Sequence, residues 1–137
     1  MLQVTAGILV DRGTVLACQR IAGSDHGGKW EFPGGKREPG ETLQDCLRRE
    51  LDEELGIEAR IGAEVWRVEH RYPGREALEL VFYAIAETRG TIHNRTFAAL
   101  RWVRIGSLSS LDFLAADRAV VEAIDRGDLV VPDTVRM

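Results

Sequence analysis

Three glutamates, Glu50, Glu53 and Glu54, stand at i, i+3 and i+4 in a segment that also carries Glu38, Glu41, Asp45 and Asp52. Only Lys36, Arg37, Arg48 and Arg49 offset these acids. At about 100° per residue, a helix gathers the three glutamates within about 100° of arc. Like charges at this spacing repel by a few tenths of a kcal/mol per pair when solvated, and by more when half-buried. A helix that needed only solubility would interleave lysines. Two readings fit the pattern. One is an acidic solvated face; the other is a set of oxygen ligands for a hard divalent cation such as Mg²⁺, which would remove the repulsion.

The elements that must hold these acids can be read on either side of them. The helix starts near Thr42 with Asp45 as its capping partner and stops at Gly56, a left-handed terminator after Leu55. Leu47, Leu51 and Leu55 form its apolar stripe, centred only about 100° from the acids. The glutamates therefore border the buried face. Upstream, Trp30 to Gly35 is predicted as a short strand ending in a Pro-Gly-Gly turn, whose glycines allow another group to approach closely. Gln3 to Val10 and Val15 to Arg20 are predicted as a hairpin about Asp11-Arg12-Gly13-Thr14, closed by Arg20. Ile21 to Lys29 is expected as a flexible loop with His26 exposed.

Downstream, Ile61 to Tyr72 and Ala77 to Ala86 alternate about Pro73-Gly74, which predicts a second hairpin. Leu100 to Ile105 is a further strand. Ala115 to Arg126 is an amphipathic helix with Val120, Val121 and Ile124 inward. Strands and helices mixed in this order imply an α/β (α+β) sandwich, not a doubly wound fold.

A chain of 137 residues fits one domain with a real core, spanning 1–137. With 45% apolar and 29% charged residues it has an ordinary globular composition. The net charge of −4 argues against a nucleic-acid polymer as partner, though not against a single nucleotide whose charge a metal neutralises. Cys18 and Cys46 have no metal-type spacing and suit a reducing compartment. The start lacks a basic leader, and the longest apolar stretch, Leu80 to Ala86, is too short to span a bilayer. A cytoplasmic protein without a membrane partner is expected.

Gly35, Glu41, Arg49, Glu50, Leu51, Glu53, Glu54, Gly56 and Ile57 reproduce every fixed position of a known signature. The segment 35–57 resembles the Nudix box, G-x5-E-x7-R-E-U-x-E-E-x-G-U with U aliphatic. Its lead-in, Trp30-Glu31-Phe32-Pro33-Gly34-Gly35-Lys36, resembles the MutT-like branch, as do the Gln19-Arg20 strand end and the last helix. The resemblance implies a Nudix hydrolase fold, a mixed β-sheet sandwiched between α-helices. It implies hydrolysis of nucleoside diphosphates linked to another moiety, with Mg²⁺ or Mn²⁺ held by Glu50, Glu53, Glu54 and the carbonyl of Gly34. The MutT-like branch attacks the β-phosphorus of a nucleoside triphosphate, giving a nucleoside monophosphate and pyrophosphate.

Arg49, an i, i+4 neighbour of Glu53 within reach of Glu41, is assigned with Glu41 to orienting the ligating carboxylates; Lys36 either meets phosphate or is an ordinary exposed lysine. By the resemblance Arg20 and Phe32 lie near the nucleotide, Phe32 as an apolar or stacking wall. Asp117 stands where the branch carries a base-reading asparagine; the plain alternative is an acid favoured by the first turn of a helix. As an acceptor, Asp117 suits the exocyclic amino group of cytosine or the amide-like donors of an oxidised purine. CTP or dCTP and 8-oxo-dGTP are the expected substrates, in a monomer or homodimer.

One position departs from the branch. Thr96 occupies the place, six residues before Trp102, where a glutamate usually serves as metal ligand or general base. The base is then Glu53, or His93, or a water activated by metal alone, with Glu53 ranked first. A catalytically weak nucleotide-binding module is the alternative, as is a hydrolase of ADP-ribose or dinucleoside polyphosphates, for which Tyr72-Pro73 is a spacing marker.

Overall fold

The computed structural model describes residues 1–137. The chain order is β1 (Leu2–Ile8), β2 (Val10–Asp11), β3 (Thr14–Gln19), β4 (Trp30–Glu31), β5 (Gly34–Lys36), α1 (Leu43–Leu55), β6 (Glu58–His70), β7 (Leu78–Arg89), β8 (Ala99–Arg104), α2 (Arg118–Arg126) and β9 (Val135–Arg136). Single 3₁₀ turns span Leu108–Ser110 and Ala115–Asp117. One sheet runs β5-β1-β7-β6, with β9 on the far end of β7; in it β1 and β7 are parallel and the others of the main path antiparallel. In the second, β3 pairs with β8 along one edge and with β2 and then β4 along the other.

Period-two alternation on β7 divides the interior. Leu80, Phe82 and Ala84 enter one core with Ile8, Phe113 and the α2 residues Val120, Val121 and Ile124. Val81, Tyr83 and Ile85 enter the other, against Leu47, Leu51 and Leu55 of α1. The main sheet thus lies between the two helices. Leu47, Leu51 and Leu55 are fully buried, each worth roughly 1.5–3 kcal/mol of apolar transfer. Thr42 caps α1 as expected, its Oγ1 accepting from the Asp45 N–H at 3.0 Å.

The β6–β7 hairpin forms about Pro73-Gly74, longer than expected and with register shifts between Arg60 and Trp66. The first hairpin is smaller than its sequence suggests. Only Val10 and Asp11 pair with β3, because the chain breaks at Leu9 and sends β1 into the other sheet beside β7. Trp30 to Gly35 also splits: Trp30-Glu31 joins β3, and Gly34 to Lys36, expected as a turn, pairs with β1. Asp117 ends a 3₁₀ turn, so the last helix proper starts one residue after it. No helix is long and apolar enough to cross a membrane.

Candidate active site

Arg49 is the hub on the α1 side. Its Nε and Nη2 donate to Glu41 Oε2 and Oε1 at 3.1 and 2.7 Å, and Nη2 also reaches the Lys36 carbonyl at 3.2 Å. Its Nη1 donates to Glu50 Oε1 at 2.9 Å and to Glu53 Oε2 at 3.4 Å. One guanidinium therefore ties the end of β5, the loop before α1 and two of the three box glutamates. The Arg49 fork, helped by the Glu38 N–H, holds the Glu41 carboxyl down at about 2.

Two glycines let β5 approach its neighbours, Gly35 toward α1 and Gly34 toward β1. A Cβ on Gly35 would overlap the Glu50 carboxylate, and one on Gly34 would overlap the Thr5 carbonyl of β1. The Gly34 N–H donates to Glu54 Oε1 at 3.0 Å. Burial pushes the Glu54 carboxyl up to about 8, and the charges of Glu50, Glu31 and Glu53 push in the same direction. Burial also raises Glu50, against the pull of Arg49. Glu53 points outward, its side chain 58% exposed.

No three acidic, histidine or cysteine side chains converge as a formed metal cage. Each of the three box glutamates is engaged by a hydrogen bond instead: Glu54 from the Gly34 N–H, Glu50 and Glu53 from Arg49. The donor chemistry nonetheless fits a hard divalent cation. These are oxygen ligands, and burial together with the neighbouring carboxylates pushes Glu54 up to about 8, a shift that a bound cation would oppose.

Beside this face opens a cavity of about 230 Å³. Gly34, Gly35, Lys36 and Glu54 line it together with Arg20, Phe32 and Asp117. Arg20 and Asp117 stand 97 residues apart in the sequence (117 − 20); the fold brings both to this cavity. Arg20, just past β3, donates Nη1 to Glu31 Oε2 at 3.0 Å and Nε to the Asp25 carbonyl at 2.7 Å. Phe32 is 3% exposed and packs against Phe82 and Phe113. It is an apolar floor more than an open stacking face. Asp117 is 3% exposed and makes no helix-capping bond, so a solvated acid in a first turn does not describe it. Burial, and then the charge of Glu31, push its carboxyl well above the usual range, opposed by the Phe32 amide.

Glu31 and Tyr72 also line this cavity, and sequence reasoning gave neither a role there. Glu31 is raised by burial against the pull of Arg20; the signal was an acid in a short apolar strand directly before Phe32. Tyr72, expected as the last residue of the strand before Pro73-Gly74, lies past β6, lines the cavity and accepts from the Ala116 N–H through its hydroxyl at 3.1 Å. His26, expected to be merely exposed, packs its ring 4.6 Å from that of Tyr72.

Thr96 lines a shallow hollow of about 190 Å³ with Arg20, Glu31 and Glu54, so the position lacking a carboxylate does sit beside the box. His93 and Arg95 serve α1 instead. Their N–H groups donate to the carbonyls of Leu55 and Glu54, and Arg95 Nη1 donates to that of Asp52 at 3.3 Å. No basic residue lies in the last turn of α1, and Arg95 supplies that charge from another loop.

The NUDIX domain family matches residues 1–124. Among curated proteins, the chain is 37% identical over 123 residues to a CTP pyrophosphohydrolase of Escherichia coli, covering 90% of each. It is 34% identical to an 8-oxo-dGTP diphosphatase of Haemophilus influenzae, covering 90% of this chain and 91% of that one. The solution structure of the E. coli ORF135 protein superposes with a TM-score of 0.80 at 37% identity, covering 90% of this chain and 87% of that one. An unbroken box, a mixed sheet between two helices and these relatives lead to one statement: the chain belongs to the NUDIX hydrolase family.

Proposed function

We propose that the protein is a Mg²⁺- or Mn²⁺-dependent nucleoside triphosphate pyrophosphohydrolase of MutT type. It acts on a (d)NTP such as CTP, dCTP or 8-oxo-dGTP, releasing a nucleoside monophosphate and pyrophosphate. The observation that carries this reading is one cavity lined both by Gly34, Gly35, Lys36 and Glu54 and by Arg20, Phe32 and Asp117. A triphosphate directed toward Glu54 leaves its base among Phe32 and Asp117. The printed activities of the relatives, a CTP pyrophosphohydrolase and 8-oxo-dGTP diphosphatases, support the substrate class.

Glu50, Glu53, Glu54 and the Gly34 carbonyl would hold the cation. When bound, it polarises the phosphoryl oxygens and offsets the charge of the leaving group. Arg49 and Glu41 fix the orientation of Glu50 and Glu53, and Lys36 meets phosphate. Water attacks the β-phosphorus, and the bond from that phosphorus to the α–β bridging oxygen breaks. Glu53, the most solvent-accessible of the three glutamates, accepts the proton of that water, since Thr96 offers no carboxylate.

Pyrophosphate release measured over a nucleotide panel with Mg²⁺ tests the reading. CTP, dCTP or 8-oxo-dGTP should be turned over, and Glu53→Gln should abolish this while leaving the melting curve in place. No turnover of any nucleotide by the wild type would sink it.

A further inference from the structure

The phenol of Tyr72 lines the cavity and is held there by its neighbours. Its hydroxyl oxygen accepts from the N–H of Ala116, the residue before Asp117. Its ring packs against those of His26, at 4.6 Å, and His70, at 4.3 Å. Packed by both imidazoles and tethered at the hydroxyl, the side chain has little freedom to turn away. The Ala116 contact uses a lone pair of the oxygen. The O–H itself makes no hydrogen bond within the protein and remains as a donor. Tyr72 and Asp117 both line the cavity, so a fixed donor stands close to a buried acceptor.

We propose that Tyr72 is a specificity-determining residue: its O–H donates to a ring acceptor of the base, beside the N–H group that Asp117 receives. The inference rests on the nucleotide reading above and adds a second, opposite contact to it. In cytosine the acceptor is N3, next to the 4-amino group. In 8-oxoguanine it is the 6-oxygen, flanking N7–H. A preorganised donor left facing a C–H or a second donor loses its partner in a desolvated site, which disfavours the wrong base.

The test is steady-state kinetics with two substrate pairs, CTP against 3-deaza-CTP and 8-oxo-dGTP against 8-oxo-dATP. Each second member keeps the group facing Asp117 and loses the acceptor. The wild type should favour the first member by about tenfold or more in kcat/KM, expressed mainly in KM. Tyr72→Phe keeps the ring against His26 and His70 and should bring that ratio within about twofold. A variant that retains the wild-type ratio overturns the proposal. So does a wild type indifferent within both pairs, whatever the variant does. Absence of turnover on both CTP and 8-oxo-dGTP is a different result, and overturns the nucleotide reading and this inference together.

Discussion

The guanidinium of Arg49 and the carboxylate of Glu41 meet as parallel forks, at 2.7 and 3.1 Å. Eight residues separate them, too far for neighbours on a helix surface, and they meet because Glu41 lies in the loop before α1. The same guanidinium then reaches Glu50 and Glu53. The aim of the box carboxylates therefore depends on a residue that is not on their helix.

Arg49→Lys retains the charge but cannot reproduce the fork. Removing such an orienting partner costs about 10–100-fold in activity or metal affinity. We expect a loss of that size in kcat, with Glu41→Gln producing a similar one. Equal kcat for Arg49→Lys and wild type would show that the fork is structural only.

Stability without metal should fall as pH rises from about 5 to about 8. Glu54 is raised from 4.5 to about 8 in the folded protein. Its contribution is thus complete below the unfolded value and is lost as pH rises through the folded one. Glu50, Glu31 and Asp117, also raised, act in the same direction. Melting temperature against pH should slope less steeply in Glu54→Gln, and less steeply in wild type with Mg²⁺ present. A slope that Mg²⁺ leaves unaltered would argue against Glu54 as a ligand.

Gly35→Ala places a methyl group against the Glu50 carboxylate. Overpacking of this kind costs about 1–3 kcal/mol. Melting temperature and kcat should both fall. Combining it with Glu50→Ala should restore the melting temperature and leave activity absent. Wild-type kcat in Gly35→Ala would mean that β5 and α1 do not need this approach.

Thr96→Glu returns a carboxylate to the hollow shared with Arg20, Glu31 and Glu54. A positioned base or ligand is worth on the order of 10²-fold, so even an imperfectly placed one should raise kcat about tenfold. Single-turnover measurements would show this directly. An unchanged rate would mean that turnover in the wild type is not limited by that missing group.

Much of the α1 half could be read from the sequence, because its information is local. Thr42, Gly56 and the Leu47-Leu51-Leu55 stripe define a helix through contacts three or four residues apart, and the glutamates follow from its geometry. The strands were legible where they alternate, as in β6 and β7. Partner choice was not. Nothing in the residues around Leu9 says that β1 leaves β2 to run beside β7, since β-branched residues suit either neighbour. The cavity lining was harder still. Arg20, Glu31, Tyr72 and Asp117 come from four separate segments, and no periodicity relates them. Asp117 was singled out by likeness alone, whereas its burial, the property that distinguishes it from a capping acid, exists only after folding.

The alternation along β7 has a further consequence, for divergence. Val81 faces the core that carries α1, while its neighbours Leu80 and Phe82 face the core that carries α2. The strand is a partition, with α1 and the proposed metal-binding glutamates on one side and α2, next to Asp117, on the other. Substitutions on one side need not disturb packing on the other. A change of preferred nucleotide can accumulate around α2 while α1 and its glutamates stay fixed. An insertion of one residue within β7 would exchange the two sides and disable both halves at once.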